Sequence, residues 1–236
     1  TMFFAGALSG AFQSVISTLM LTGTIILGVA MTLLISKLLS KTILKGMPSS
    51  FHLELPPYRR PQVGKVIIRS IFDRTLFVLG RAITVAAPAG MVIWVLANIH
   101  IGDLSLLAHC AGFLDPFARF IGLDGYILMA FILGFPANEI VVPILIMSYM
   151  AAGKLTDLES LSELHTLFVN NGWTWLTAVC AILFTLLHCP CGTTFLTIKK
   201  ETQSMKWALI SFAIPTITGI IVCMITANTI RLLGLI

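Results

Sequence analysis

Two short polar interruptions inside apolar segments carry the residues of this sequence that could do chemistry. The first is GFPANE, where Asn138 and Glu139 bring an amide and a carboxylate into an otherwise apolar run. The second is HCPCGTT, where His188, Cys189 and Cys191 bring one imidazole and two thiols close together. Nitrogen and sulfur ligands of this kind suit late first-row divalent metals. The two interruptions therefore predict a site or path for a cation, with these five residues as its candidate ligands.

Each interruption also has a purely structural interpretation. Glu139 would cap a half-helix, because an acid favours the positive end of the helix dipole. The two cysteines would be inert, and His188 would cap a helix end. We favour the functional interpretation because an ionisable side chain is costly inside a membrane and usually faces a cavity or a partner.

The composition indicates that these interruptions lie inside a membrane. The chain is 57% hydrophobic and 11% charged, whereas a soluble domain carries about 25% charged residues. Several apolar runs approach or exceed the length of about 20 residues that a helix needs to cross the hydrocarbon. The sequence thus predicts an all-α, polytopic helical membrane protein with re-entrant or broken helices.

The apolar and charged runs divide the chain into three regions. Residues 1–36 are expected to hold the end of a preceding membrane element and the first clear transmembrane helix. Residues 37–75 are predicted to form a basic cytoplasmic loop with an interfacial helix. Residues 76–236 hold the remaining transmembrane helices, including the two broken segments 126–150 and 173–198.

The stretch between the second span and the first broken segment is mixed in polarity. Residues 100–125 contain Asp103, Asp115 and Asp124 among apolar residues. We expect a loop here, with a short interfacial helix near 113–122.

The distribution of charge predicts how the chain is oriented. Segment 37–81 has nine basic and two acidic residues, so it should face the cytoplasm, whereas segment 100–172 has two basic and seven acidic residues. The basic cluster 199–206 should again be cytoplasmic. These assignments agree only if residues 126–150 enter and leave on the same side, so we expect a re-entrant hairpin that turns near residues 136–138. A full crossing is the alternative.

Several function classes find no support in the sequence. There is no phosphate-binding loop, no G-x-S-x-G elbow and no H-E-x-x-H motif, so we do not expect an enzyme. The basic residues are not interleaved with aromatics, so nucleic acid is not an expected partner. Five cysteines, an odd number, do not indicate a disulfide framework.

Three motifs resemble the C-terminal membrane region of the ferrous iron transport protein B (FeoB) family. FHLELPPYRRPQ, residues 51–62, looks like the family's cytoplasmic stretch after the first gate. IGLDGYILMAFILGFPANEIVVPIL, residues 121–145, is similar to the start of its second gate. CPCGTTFLTIKKETQSMKWAL, residues 189–209, is similar to its Pro-Cys segment. The sequence departs from the family at Asn138, where a lysine is usual, and at Pro143, where a glycine is usual.

The resemblance implies Fe²⁺ transport across the bacterial cytoplasmic (inner) membrane by the C-terminal, pore-forming part of a GTP-regulated transporter. Pro190 and Cys191 match the family's Pro-Cys pair, and Glu139 matches its gate glutamate. Fe²⁺ would be the transported substrate, with no permanently bound cofactor. GTP would act only through an N-terminal domain that this chain lacks, on the same full-length protein or on a separate subunit. A homo-oligomer is left open.

Two other functions remain open at this stage. A transporter of a nucleoside-like organic solute with the same gate architecture would also need broken helices, and its thiols would be incidental. A scaffold that does not transport would bind a partner through the basic loop, residues 37–65.

Overall fold

A computed structural model of the chain describes residues 10–42, 63–69, 72, 75–151, 160–188 and 191–234. The chain divides into two compact units, Thr18–Arg81 and a larger unit made of Thr1–Ser17 with Ala82–Ile236. Most of the predicted cytoplasmic loop, the motif at residues 51–62 and Cys189 lie outside the described residues. The other four candidate ligands belong to the larger unit.

The first helix confirms the first predicted span and extends it at both ends. Helix α1 is Gly10–Lys41, and its stretch Ser14–Lys41 is long and apolar enough to cross a membrane. The hydroxyls of Thr24 and Thr32 donate to carbonyls one turn earlier, each at 2.8 Å, so these polar groups are satisfied within the helix. The short helix α2, Val63–Arg69, lies where the interfacial helix is predicted.

The segment after the second span is more regular than predicted. Helix α3, Phe77–Asn98, continues through Pro88. Strands β1 (His100–Ile101) and β2 (Leu104–Ser105) then form an antiparallel hairpin, and helix α4 follows at Leu106–Phe120. The prediction of a loop with a helix near 113–122 was therefore wrong in extent. The Ser105 hydroxyl accepts from Ala108 N at 3.2 Å and so starts the helix early.

Helices α4 and α5 (Gly125–Leu133) form a bent pair, with an angle of 109° between them. Two carboxylates hold this bend. Asp124 caps α5 by accepting from Ile127 N at 2.7 Å. Asp115 accepts from Gly125 N at 3.1 Å and from Arg119 Nε at 2.6 Å. The acidic residues that suggested a loop in the sequence thus serve as caps and braces for helices.

The first broken segment is a hairpin. Helix α5 is followed by a turn, a 3₁₀ turn at Asn138–Ile140, and helix α6, Val141–Tyr149. Each helix has nine residues and is about 14 Å long, roughly half of the hydrocarbon thickness. The Tyr149 hydroxyl donates to Asp124, and the rings of Tyr149 and Tyr126 are 5.5 Å apart. The start and the end of the segment therefore lie side by side, which confirms the predicted hairpin and disagrees with a full crossing.

The remaining helices complete the larger unit. Helix α7 is Leu161–Asn170, α8 is Trp175–Leu187, α9 is Gly192–Thr202 and α10 is Met205–Leu232. The second broken segment is thus two helices, as predicted. Before α8, Trp173 stacks on Phe168 with ring centroids 4.3 Å apart, and its Nε1 donates to the Tyr149 hydroxyl at 2.7 Å.

By length and composition, three stretches in the described part of the chain could cross a membrane, and a fourth if the bent pair counts as one span. The three are Ser14–Lys41, Trp175–Thr202 and Met205–Leu232. Arg231 near the end of α10 donates to the Arg119 carbonyl at 2.8 Å, whereas Lys206 lies at its start. The acidic turns and the lysine cluster are therefore at opposite ends of α10, as the charge rule predicts. The protein is a helical, multi-pass membrane protein.

The core of the larger unit surrounds the hairpin. Seven of the nine residues of α5 are buried, and so are five of the nine in α6. Cys180 and Cys223 are fully buried against this core, and the Cys223 thiol donates to the Cys180 carbonyl at 3.4 Å. These two cysteines behave as the buried hydrophobes that their apolar surroundings suggest. Irregular backbone at membrane depth requires this kind of cover by protein.

Candidate functional site

The two interruptions meet in the folded chain. The backbone N–H of Gly192, at the start of α9, donates to the carbonyl of Phe135 in the turn after α5 at 2.7 Å. Phe135 belongs to the first interruption and Gly192 to the second. The sequence predicts each interruption separately, but nothing in the sequence predicts that they touch. This contact defines the candidate site.

Glycines allow the backbones to approach so closely. A Cβ on Gly192 would lie 3.1 Å from Phe135 Cε1 and 3.2 Å from Val85 Cγ1. A Cβ on Gly134 would lie 2.4 Å from Val141 Cγ2, so that any side chain there would force the start of α6 away from the end of α5. The packing therefore requires glycine at position 134 and leaves little room for a side chain at position 192.

Cys191 is positioned at the amino end of α9. It is the residue before the first helical turn, its backbone is extended, and its side chain is partly buried. Its Sγ lies 3.0 Å from Thr193 Oγ1 and 3.2 Å from Thr194 Oγ1. The amino end of a helix favours negative charge, and the two hydroxyls can solvate a sulfur ligand. The arrangement suits a thiolate that meets a cation.

His188 ends α8 and points into an aromatic cavity. Its ring centroid lies 5.1 Å from that of Phe131 and 5.3 Å from that of Phe184. Its Nε2 is buried and has no hydrogen-bond partner among the residues that the structure describes. The cavity has a volume of about 360 Å³ and also contacts Phe135 and Thr216. A buried nitrogen without a partner is costly, so it indicates a group kept for something other than packing.

An aromatic cluster that the sequence does not predict lies beside this cavity. The ring of Phe135 lies 5.7 Å from that of Phe212 and 6.4 Å from that of Phe195, and the last two rings are 6.3 Å apart. We call these three residues the phenylalanine cluster. Its members come from the first interruption, α9 and α10, and are far apart in the chain. Only the position of Phe135 inside GFPANE could have signalled a role.

Glu139 and Asn138 lie apart from the buried groups. Both are exposed in the 3₁₀ turn that precedes α6. Within the described ranges, no group of three or more His, Cys, Asp or Glu side chains comes together in a way that could hold a metal ion. The structure thus brings the two interruptions together, but it does not assemble the predicted ligands into one cage. Cys189 lies outside the described residues.

Comparison with protein families places this arrangement in a known group. Residues 79–205, more than half of the chain, match the family model described as "Gate: Nucleoside recognition". The chain belongs to the Gate family. The match covers helices α3 to α9 and includes both interruptions. Residues 21–73 match a second model, "Ferrous iron transport protein B C terminus". The Gate region, which holds both interruptions, therefore follows a region that is typical of FeoB.

Three curated relatives of this Gate-family chain share one name. The "Fe(2+) transporter FeoB" of Staphylococcus aureus is 29% identical over 226 residues, which are 92% of this chain and 32% of the relative. Its namesake in Leptospira interrogans is 27% identical and matches 86% of this chain. That of Methanocaldococcus jannaschii is 28% identical and matches 94%.

The chain spans about a third of the length of these relatives. No solved structure matches the chain. The two family models and the relatives confirm the resemblance to the C-terminal region of FeoB.

Proposed function

We propose that this Gate-family chain is the pore-forming, C-terminal part of a Fe²⁺ transporter in a bacterial cytoplasmic membrane. The observation that carries the proposal is the hydrogen bond between Gly192 and Phe135, which joins two broken helices at one place. Transporters use such breaks to present helix ends and freed carbonyls to an ion or substrate. The cation comes from the relatives, which are named as Fe(2+) transporters.

The ligands fit a borderline transition metal better than a hard cation. Thiolate and imidazole suit Fe²⁺ and its neighbours, whereas Mg²⁺ and Ca²⁺ prefer oxygen alone. We propose that Fe²⁺ loses its water stepwise as it passes Glu139 and Asn138 at the exposed turn and Cys191 and His188 further in, together with Cys189. Each contact must be weak enough to release the ion, and ligands spread along a path meet this requirement better than a single cage.

GTP would bind to a part of the full-length transporter that corresponds to the region of the relatives that this chain does not span. We propose a GTP-binding domain there, on the same full-length protein or on a separate subunit, and we place any hydrolysis on that domain. The chain itself would then contribute the path and no chemical step.

The proposal predicts that Fe²⁺ uptake depends on both interruptions. In the full-length transporter reconstituted in liposomes, Cys191→Ser and Glu139→Gln should each lower the initial rate of ⁵⁵Fe²⁺ uptake by about tenfold or more, since each removes a ligand from the path. Cys110→Ser and Glu163→Gln are matched controls, because these residues lie on α4 and α7 outside the interruptions. Normal uptake in both test variants would refute the proposed path.

The same vesicles test the alternative substrate. The Gate family model is described as nucleoside recognition, so labelled nucleosides should be assayed in parallel. We expect no nucleoside accumulation and no competition with Fe²⁺. Uptake of a nucleoside that survives Cys191→Ser would favour the organic solute instead.

A further inference from the structure

A second polar site lies at the opposite end of the hairpin from the interruptions. It is a pocket of about 110 Å³, large enough for several water molecules. His100, Asp103 and Ser105 contribute to it from the β-hairpin. Tyr126 comes from the first turn of α5 and Ser148 from the last turn of α6. We call this the outer pocket, because the charge rule places this end of the larger unit outside.

The imidazole of His100 is held in the form that can bind a metal. Its Nδ1 lies 3.0 Å from the Asn98 carbonyl oxygen. A carbonyl only accepts, so this hydrogen bond fits the tautomer that carries its proton on Nδ1, in which Nε2 holds the lone pair. Histidines that ligate metals commonly donate their other ring N–H to a backbone carbonyl in this way. His100 is exposed, so its Nε2 can be reached by an ion.

Asp103 contributes a carboxylate to the same pocket. Among the described residues its side chain has no hydrogen-bond or ion-pair partner. Residues 82–118 contain no Lys or Arg, so no cation from the surrounding stretch of chain neutralises it. The Ser148 hydroxyl donates to the Ile144 carbonyl at 2.7 Å, which leaves its oxygen lone pairs to accept from water. Among the described residues that line the outer pocket there is one acid, Asp103, and no Lys or Arg, so the lining offers acceptors to a cation.

We propose that the outer pocket captures a hydrated divalent transition-metal cation, with His100 Nε2 and the Asp103 carboxylate as direct ligands and the hydroxyls of the lining as partners for retained water. Imidazole and carboxylate together suit divalent iron, manganese, cobalt or zinc. The inference rests on the proposed function and adds to it a first binding step. A site with two protein ligands binds weakly, as a capture step requires if the ion is to move on.

Binding of Co²⁺ tests the proposal without transport. The full-length protein in nanodiscs carries Cys191→Ser, so that the inner thiol does not contribute, and Co²⁺ binding is followed by its visible absorption. His100→Ala, His100→Gln and Asp103→Asn should each raise the Kd for Co²⁺ by about tenfold or more, since even indirect partners of a metal site are worth about tenfold. Gln at position 100 keeps a donor for the Asn98 carbonyl and controls for local folding.

The chain offers a matched control for each ligand. His109 on α4 also places Nδ1 near a backbone carbonyl, at 3.2 Å from Ser105 O, but it does not line the pocket. Glu163 is an exposed acid on α7 that also lies outside it. His109→Ala and Glu163→Gln should leave the Kd unchanged. Equal effects of test and control variants, or no effect of the test variants, would overturn the proposal.

Uptake measurements separate this proposal from the proposed function. With Cys191 intact, His100→Ala and Asp103→Asn should raise the KM for Fe²⁺ and leave the maximal rate unchanged. An unchanged KM, with uptake still lost in Cys191→Ser, would refute the outer pocket and leave the inner path standing. Weaker Co²⁺ binding in the pocket variants, with normal uptake in Cys191→Ser and Glu139→Gln, would refute the inner path alone.

Discussion

At the scale of single residues, the site depends on close contacts that small or unusual groups permit. Gly192 donates its N–H to the Phe135 carbonyl, and an added Cβ at Gly192 would lie 3.1 Å from the Phe135 ring. His188 has a buried nitrogen that finds no partner among the described residues, beside two phenylalanines. Such features lower stability, so they are expected where function requires them.

Gly192→Ala should damage transport through this contact. The new Cβ would lie 3.1 Å from the Phe135 ring and 3.2 Å from Val85 Cγ1, so at least one of these side chains would have to shift by a few tenths of an ångström. We expect a lower thermal unfolding midpoint in detergent and a several-fold loss of Fe²⁺ uptake by the full-length transporter.

Gly90→Ala is the matched control, because Gly90 lies in helix α3 with nothing within 4 Å of an added Cβ. It should leave both measurements unchanged or raise the midpoint slightly, since alanine favours helix. If the two variants behave alike, the packing at Gly192 has no special role.

At the scale of elements, a chain of hydrogen bonds fixes the open end of the hairpin. Trp173 Nε1 donates to the Tyr149 hydroxyl, which donates to Asp124, and Asp124 caps α5. One tyrosine thus joins the start of α5, the end of α6 and the segment before α8. The two half-helices are too short to hold their places by length alone, and this network sets their position.

Tyr149→Phe should loosen the hairpin while leaving its apolar packing in place. The substitution removes one hydroxyl and leaves both Trp173 and Asp124 without that partner, at a cost of about 1–3 kcal/mol. We expect a lower unfolding midpoint and faster hydrogen exchange in α5 and α6.

Tyr126→Phe serves as the comparison for stability, since the Tyr126 ring packs on Tyr149 but its hydroxyl takes no part in the network. If both variants lower the unfolding midpoint by a similar amount, the effect comes from ring packing and not from the hydrogen bonds.

At the scale of the whole molecule, charge and fold agree on orientation within the larger unit. The acidic turns, the β-hairpin and the open end of the α5–α6 hairpin share one end with Arg231, and the lysines around Lys206 lie at the other end of α10. The positive-inside rule then predicts that the lysines face the cytoplasm.

Labelling from either side of the membrane checks this orientation. In intact cells, an impermeant maleimide should modify Glu163→Cys and should not modify Lys199→Cys. Both positions are exposed, so both should react once the membrane is permeabilised. Labelling of Lys199→Cys in intact cells would reverse the orientation and would place the outer pocket inside.

The sequence predicts most of the elements because long apolar runs and proline-bearing interruptions are local features. The prediction from the sequence is wrong between residues 100 and 125. Asp115 and Asp124 suggest a loop there, but Asp115 accepts a hydrogen bond from Gly125 N and Asp124 caps helix α5. It also misses the phenylalanine cluster, whose members come from three separate elements. Of the site it identifies the ligand types but not the contact of Phe135 with Gly192, since pairing between distant backbone groups leaves no trace in residue types.

The hydrogen bond between Gly192 and Phe135 is also easy to break. One amide–carbonyl hydrogen bond contributes about 1 kcal/mol net. A movement of α9 by a few ångströms away from the α5–α6 turn would therefore separate the two groups at a small cost in free energy. The released carbonyl of Phe135 would then offer an oxygen to a passing cation, and the released N–H of Gly192 would turn to water. If the proposed GTP-binding domain moves this region, breaking so weak a contact would not require the stability of the core to be overcome.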